Sequence, residues 1–218
     1  MGKRVNIASP PLRRELMMAR IVVPIYFDYA STLCYIAWRI VRELEPELGF
    51  EPLWKGVPIA LRDHRARAGH TLTELERQKV LMVAAETGIA VAPPREWIDS
   101  KAALEGSEVA RDAGVFAAYH DAVFRAAFEE RVDIAQPAVL DSIARRAGID
   151  RARFRGDLDA HRMASRIDEY RHEADEFSAF GYPTFILGDY PMIGIQPAST
   201  MRLVLARFIQ QRQTEPQA

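Results

Sequence analysis

The pattern of apolar and polar positions opens with a strand-like segment over residues 21–28 that is apolar up to its last residue, as expected for a buried β-strand. Apolar side chains then recur at helical spacing as far as Leu48, and a second strand is predicted over residues 50–55. A proline cannot donate to a ladder, so either the paired strand begins at Ile25 or Pro24 lies on an unpaired side. This order predicts a β-α-β unit with two parallel strands.

Helical periodicity dominates the middle of the chain. It predicts helices over residues 71–87 and 107–129, a helix with Pro137 in its first turn, and further helical residues over 151–179. Gly88 follows the first of these helices and is a suitable C-terminal stop.

Strand signals return towards the C-terminus. Residues 184–187 and 190–193 flank the turn pair Gly188-Asp189, which predicts a hairpin, and a final helix is predicted over residues 198–211. The organisation is therefore β-α-β, a helical block, then β-β-α.

Composition narrows the classes of function. The 218 residues carry a net charge of −1 and no basic stripe, which argues against a nucleic-acid partner. No apolar run approaches the roughly 18 residues of a membrane span. Residues 1–20 are basic without a long apolar block, so we predict a flexible tail rather than a secretory signal, with Met1 or Met18 as the true start. A single cysteine fits a reducing compartment, and the predicted location is cytoplasmic.

The junction between the first strand and the first helix carries the candidate chemistry. The Cys-x-x-Cys spacing of thiol-disulfide enzymes survives there, but Ser31 occupies the first position and Cys34 the second. Because Cys34 is the only cysteine in the sequence, the chain cannot form an intramolecular disulfide. Chemistry at this junction must use one hydroxyl and at most one thiol from the chain itself.

Each of these two side chains has two interpretations. The Ser31 hydroxyl could be an N-cap that satisfies backbone N–H groups, or it could donate to the sulfur of a bound thiolate. The partial positive charge of a helix N-terminus favours a thiolate, and electropositive positions of this kind lower thiol pKa values. Cys34 could be a small packed hydrophobe or a monothiol that forms a mixed disulfide.

The order of the elements and four sequence segments resemble the DsbA-like superfamily. This superfamily includes DsbA oxidoreductases, kappa-class glutathione transferases and 2-hydroxychromene-2-carboxylate isomerases. The four segments are Phe27-Asp28-Tyr29-Ala30-Ser31 with Tyr35-Ile36-Ala37, Trp54-Lys55, the stretch from Ala126 to Asp150, and Phe180-Gly181-Tyr182-Pro183-Thr184-Phe185. The first of them resembles the active-site turn of the isomerases and kappa-class transferases, which use serine where the oxidoreductases use cysteine.

The resemblance implies an α/β thioredoxin fold with a large all-helical insertion. The implied division of the chain is a flexible N-terminal tail at 1–20, a discontinuous thioredoxin-like domain at 21–58 and 181–211, and a helical insertion domain at 59–180.

The resemblance also implies a thiol site around Ser31. A cis peptide bond between Tyr182 and Pro183 would turn the backbone towards Ser31, where it could pair with the extended cysteinyl segment of glutathione, the expected cosubstrate. The residues assigned to thiol or glutathione binding are Thr32, Leu33, Lys55, Tyr182, Pro183 and Gln196. Lys55 could instead be a solvated lysine, Gln196 a helix-cap residue and Pro183 part of an ordinary turn. No metal is expected, because the histidines lack metal-ligand spacing.

Two positions depart from the isomerase pattern. Thr32 stands where the isomerases usually carry proline after the serine, and Gly194-Ile195-Gln196-Pro197 stands where they usually show Gly-x-Asp-Arg. The second of these sequences resembles the FrnE-type oxidoreductase branch. The active-site serine and the last motif therefore point to different branches.

Three hypotheses follow. The first is a glutathione-dependent isomerase or transferase, in which Ser31 stabilises the thiolate for attack on a small electrophilic, aromatic or unsaturated substrate beneath the helical block. The second is a DsbA/FrnE-like thiol-disulfide oxidoreductase branch member with monothiol chemistry at Cys34. The third is a non-catalytic protein that binds thiols or peptides. Relatives of this kind are often dimers, so a homodimer is an expectation.

Overall fold

The fold is built on a four-stranded sheet whose strands come from two distant parts of the chain. The computed structural model describes residues 20–61 and 66–214, so the predicted tail, apart from Arg20, lies outside the described residues. The strands are β1 Val22–Phe27, β2 Glu51–Gly56, β3 Thr184–Leu187 and β4 Tyr190–Ile193, in the spatial order β2-β1-β3-β4. β1 and β2 are parallel, and β3 is antiparallel to both of its neighbours. The predicted β-α-β unit and C-terminal hairpin are therefore confirmed.

Pro24 lies inside β1. The ladder with β2 begins at Val22 and places Pro24 opposite Leu53, so the prediction that pairing begins at Ile25 is wrong. β3 pairs with β1 only at Ile25 and Tyr26. Pro24 therefore lies beyond the end of the second ladder, which is the predicted alternative of an unpaired side.

The first helix, α1 (Thr32–Leu48), connects β1 to β2 and is capped at both ends. Ser31 is the N-cap, and Gly49 ends the helix at φ 70° by donating its N–H to the carbonyl oxygen of Glu45. Glycine takes this left-handed conformation without a steric penalty from Cβ. The capping fixes Ser31 just beyond the C-terminal end of β1.

The chain between β2 and β3 is largely helical, and one predicted helix proves to be two. After a 3₁₀ turn at Ile59–Leu61, the helices are α2 Glu74–Thr87, α3 Lys101–Asp112, α4 Phe116–Phe128, α5 Pro137–Arg146, α6 Arg151–Asp159 and α7 Ala164–Glu176; α8 Ala198–Thr214 follows β4. The prediction of a single helix over residues 107–129 is wrong, because Gly114 takes a left-handed conformation at φ 73° and separates α3 from α4. The apolar periodicity continues across this break, which is why the sequence pattern did not reveal it.

Insertion helices contact both faces of the sheet. On one face, Phe27 and Trp54 pack against His120 of α4, with ring centroids 4.8 and 4.9 Å from the imidazole. On the other face, Lys55 of β2 forms an ion pair with Glu173 of α7. Successive residues of a strand point to opposite faces, which places Trp54 and Lys55 on different sides. The architecture is a thioredoxin fold with a helical insertion, which confirms the predicted α/β class.

Candidate functional site

The turn between β1 and α1 is held by the buried carboxylate of Asp28. Its oxygens accept the backbone N–H of Ala30 at 2.9 Å and that of Ile59 at 2.6 Å. Burial raises the pKa of the Asp28 carboxyl, and hydrogen bonds from Ala30, Ile59 and Ser100 oppose this rise. Asp28 therefore ties the residue that precedes Ser31 to the segment that leaves β2.

Ser31 has the N-cap geometry that the sequence allowed. Its hydroxyl oxygen accepts the backbone N–H of Cys34 at 3.3 Å, and the residue is 5% exposed. Acceptance of one N–H leaves the O–H bond as a donor, so the N-cap role and the donation to a bound sulfur are compatible.

Cys34 is fully buried in the first turn of α1. Burial raises the pKa of its thiol to about 12, although the neighbouring Ser31 hydroxyl opposes this effect. A thiol with such a pKa is almost entirely protonated near neutral pH, and the thiolate is the reactive form. The environment of Cys34 therefore matches the packed hydrophobe and not the reactive monothiol.

The loop before β3 lies beside this turn. The Tyr182–Pro183 peptide bond is cis, and the Pro183 carbonyl oxygen accepts the backbone N–H of Gly194 at 2.7 Å. Thr184 pairs with Tyr26 in the antiparallel ladder, so the start of β3 and the end of β1 are neighbours. The structure therefore places the predicted Pro183 loop next to the end of β1 that leads into Ser31.

The other predicted binding residues are placed differently. Thr32 is buried and Leu33 is half-buried in the first turn of α1, whereas Gln196 is exposed. The Lys55 ammonium group bonds the Glu173 carboxylate, which also accepts a hydrogen bond from the Tyr26 hydroxyl at 3.3 Å. Lys55 therefore has a partner within the chain, on the face of the sheet that α7 covers.

A cavity of about 430 Å³ opens between the turn and the helical insertion. The turn contributes Asp28 and Ala30 to its wall, and alanine and isoleucine side chains make much of the remainder apolar. Polar residues that sequence reasoning missed, Ser100, Lys101 and Glu105, also line it. The signal that could have found them is a serine just before a run of helix-forming residues, which predicts a helix start near residue 100.

His120 is a buried core residue of α4. Its Nδ1 atom is 2.9 Å from the Tyr29 hydroxyl oxygen, and rings of Phe27, Trp54 and Phe124 surround it. Burial, with a smaller contribution from the charge of Arg111, holds the pKa of the imidazole well below its ordinary value. His120 is therefore a neutral packing residue near Tyr29.

Within residues 20–61 and 66–214, no group of three or more histidine, cysteine, aspartate or glutamate side chains is arranged to hold a metal ion. In the same part of the chain, no helix combines the length and the apolar character that crossing a membrane requires.

Comparison with known proteins places this chain in a family. Residues 22–206 match the model of the DSBA-like thioredoxin domain. Among curated proteins, the 2-hydroxychromene-2-carboxylate isomerase of Pseudomonas sp. (strain C18) is 23% identical over 181 residues, covering 78% of this chain and 82% of that enzyme.

Solved structures show the same fold. A protein described as a probable DsbA oxidoreductase, SCO1869 from Streptomyces coelicolor, superposes with a TM-score of 0.73 at 20% identity, covering 91% of this chain and 93% of the other. A 2-hydroxychromene-2-carboxylate isomerase has a TM-score of 0.70 at 22% identity, over 88% and 98% of the two chains. The cytosolic disulfide reductase DsbM from Pseudomonas aeruginosa, solved with GSH, has a TM-score of 0.62 at 17% identity, over 89% and 98%.

Proposed function

The chain belongs to the family of DSBA-like thioredoxin domains, and on that premise we propose that it is a glutathione-dependent transferase or isomerase of small electrophiles. The observation that carries the proposal is the pair of residues at the Cys-x-x-Cys positions. Ser31 stands at the helix N-terminus with a hydroxyl in place of a thiol, and the thiol of Cys34 is buried with a raised pKa. The reactive sulfur therefore comes from a bound thiol.

Ser31 would stabilise that sulfur as a thiolate. The hydroxyl lies at the N-terminus of α1, where the helix dipole favours negative charge by about 0.3–1 kcal/mol. A hydrogen bond to a charged group contributes about 1.5–3 kcal/mol. Together these effects lower the pKa of a thiol bound there, so that more of it is ionised near neutral pH.

The neighbouring cavity would hold the electrophile. Asp28 and Ala30, from the turn that ends at Ser31, line the cavity of about 430 Å³, which lies within the usual size of small-molecule sites. Ser31 does not itself line the cavity but follows Ala30 in the chain, so a thiolate at Ser31 would attack a substrate held beside Ala30. The relatives named above include an isomerase and a reductase solved with GSH, which support thiol chemistry on this fold.

Binding experiments test the thiol site. Titration calorimetry with glutathione should give an affinity that is unchanged in Cys34→Ala and reduced about 10-fold or more in Ser31→Ala, since a hydrogen bond to the thiolate is lost. Thr73→Ala is the matched control, because Thr73 caps α2 through the Glu76 N–H as Ser31 caps α1. If Ser31 acted only as a helix cap, both substitutions would lower stability and neither would change the affinity for glutathione.

Turnover separates the three hypotheses. We expect conjugation of glutathione to dinitrochlorobenzene by the wild type and by Cys34→Ala, and little by Ser31→Ala. Insulin reduction that is abolished in Cys34→Ala would instead identify a monothiol oxidoreductase. Glutathione binding without turnover of any electrophile would identify a binding protein.

A further inference from the structure

Glu105 is a buried carboxylate in the wall of the 430 Å³ cavity. It lies in the second turn of α3 and is 3% exposed. Both of its carboxylate oxygens are within hydrogen-bond distance of Nδ1 of His161, at 3.2 and 3.1 Å. Because a carboxylate only accepts, Nδ1 carries the hydrogen and donates it.

His161 connects this carboxylate to water. Its side chain is 63% exposed, whereas that of Glu105 is 4% exposed. The backbone of His161 is fixed between α6 and α7, since its N–H donates to Leu158 O at 3.0 Å and its own carbonyl oxygen accepts from Ala164 at 3.1 Å. The pair therefore forms a continuous hydrogen-bonded link from the cavity wall to the solvent.

We propose that Glu105 is the catalytic proton-transfer group for α,β-unsaturated carbonyl substrates in this cavity, with His161 as the positioning residue that exchanges its proton with solvent. The inference rests on the proposed function and assigns the proton-transfer residues of the same site. Addition of a thiolate to such a substrate requires a proton donor on the substrate side, and its reversal requires a base there.

The thiolate sulfur forms a bond to the β-carbon, and the electrons of the C=C bond move towards the carbonyl oxygen to give an enolate. Glu105, protonated from His161 Nδ1, gives this proton to the α-carbon, while Nε2 of His161 takes a proton from water and leaves hydroxide in the solvent. Elimination reverses each transfer after rotation about the C–C bond, which regenerates the thiolate and leaves an isomerised double bond.

Other ionisable groups face the same cavity. They are Asp28, Arg67, Asp99, Lys101 and Asp168. Asp28 is held by backbone N–H groups, Asp99 accepts the Lys101 N–H at 3.1 Å, and Asp168 pairs with Arg171. Glu105 differs from these carboxylates in that its partner is an imidazole, whose two ring nitrogens can donate and accept a proton.

The test compares two electrophiles that differ in their need for a proton. Dinitrochlorobenzene releases chloride and requires no carbon protonation, whereas benzylideneacetone requires it. We expect the wild type to turn over both with glutathione. Glu105→Gln should lose about 100-fold or more in kcat with benzylideneacetone, the usual contribution of acid–base catalysis, and lose far less with dinitrochlorobenzene, so that the ratio of the two kcat values changes.

His161→Gln supplies a readout that a structural role would not move. The glutamine can still donate a hydrogen bond to Glu105 but cannot exchange a proton, so the pH dependence of kcat with benzylideneacetone should change while glutathione affinity is preserved. Asp141→Asn is the matched control, because Asp141 is a buried carboxylate of α5 that pairs with Arg155 and Arg151 outside this cavity. Its turnover should follow the wild type with both electrophiles.

The outcomes are distinguishable. Turnover of benzylideneacetone by Glu105→Gln at the wild-type rate would overturn the inference and leave the proposed function standing. Wild-type turnover of dinitrochlorobenzene but not of benzylideneacetone would overturn it as well. Failure of the wild type with both electrophiles would remove the proposed function, and the inference with it.

Discussion

At the scale of single residues, the chemistry of this chain is divided between two positions three residues apart. Ser31 caps α1 and has a hydroxyl at the helix end, whereas Cys34 is fully buried one turn later. The helix dipole favours a thiolate at both positions, but the cost of burying charge exceeds this benefit at Cys34. Burial therefore excludes the chain's own thiol from reacting as a thiolate, even though Cys34 lies in the first turn of the helix.

The buried thiol should be nearly inert in the folded protein. With a pKa of about 12, about one Cys34 side chain in ten thousand is ionised at pH 8, against about a quarter for an unperturbed thiol. We expect alkylation by iodoacetamide to be at least about 1,000-fold slower in the native protein than in urea, as followed by mass spectrometry. Rapid native-state modification, with a rate that does not rise towards high pH, would contradict this assignment.

At the scale of elements, buried charge and one glycine determine how the insertion helices meet. Glu108 of α3 is fully buried and accepts hydrogen bonds from Arg111 at 2.9 Å and from Tyr170 of α7 at 3.1 Å. Gly114 allows the chain to turn from α3 into α4, which carries His120 and Phe124 to the sheet. α3 is thereby fixed with Glu105 in the cavity wall.

Gly114 should be difficult to replace. A side chain at φ 73° encounters the steric cost of the left-handed region, so Gly114→Ala should lower the free energy of unfolding by about 1–2 kcal/mol in urea titrations. Gly156, in the interior of α6, has open space where a Cβ would lie. Gly156→Ala should therefore raise stability by about 0.5–1 kcal/mol, and equal effects of the two substitutions would refute the argument.

Most of the order of helices and strands could be predicted from the sequence, but fewer residues of the candidate site could be. Ser31, Cys34 and Pro183 could be found because strand and helix patterns flank them and their residue types limit the chemistry. Glu105 could not, because its role depends on His161, which is distant in sequence and placed beside it only by the packing of α3 against the turn after α6. The partner of Lys55 was missed for the same reason.

At the scale of the whole molecule, the insertion is attached to the sheet through polar contacts as well as through aromatic packing. Glu173 of α7 accepts from both Lys55 and the Tyr26 hydroxyl, and Lys55 also lies 5.3 Å from the ring centroid of Tyr170. Only 15% of the Lys55 side chain is exposed. The contact therefore holds a largely buried cation at the junction of the insertion and the thioredoxin unit.

Removal of one partner of this contact should be worse than removal of both. Glu173→Leu leaves the Lys55 charge and the Tyr26 hydroxyl without their acceptor, at a cost of about 1–3 kcal/mol in unfolding free energy. The double variant Lys55→Met with Glu173→Leu should recover part of this loss. Glu169→Leu, at an exposed position of the same helix, is the control. Additive effects in the double variant would show that the pair is not coupled.

The discontinuous sheet has a consequence for biosynthesis. Tyr26 of β1 pairs with Thr184 of β3, so the ladder between β1 and β3 cannot form until most of the polypeptide has left the ribosome. At translation rates of about 5–20 residues per second, the nascent β1–α1–β2 unit lacks β3 for many seconds. During this time one side of β1 is unpaired and can form hydrogen bonds with other chains. The topology therefore requires that the unpaired side of β1 be protected during synthesis, either by chaperones or by early collapse of the helices.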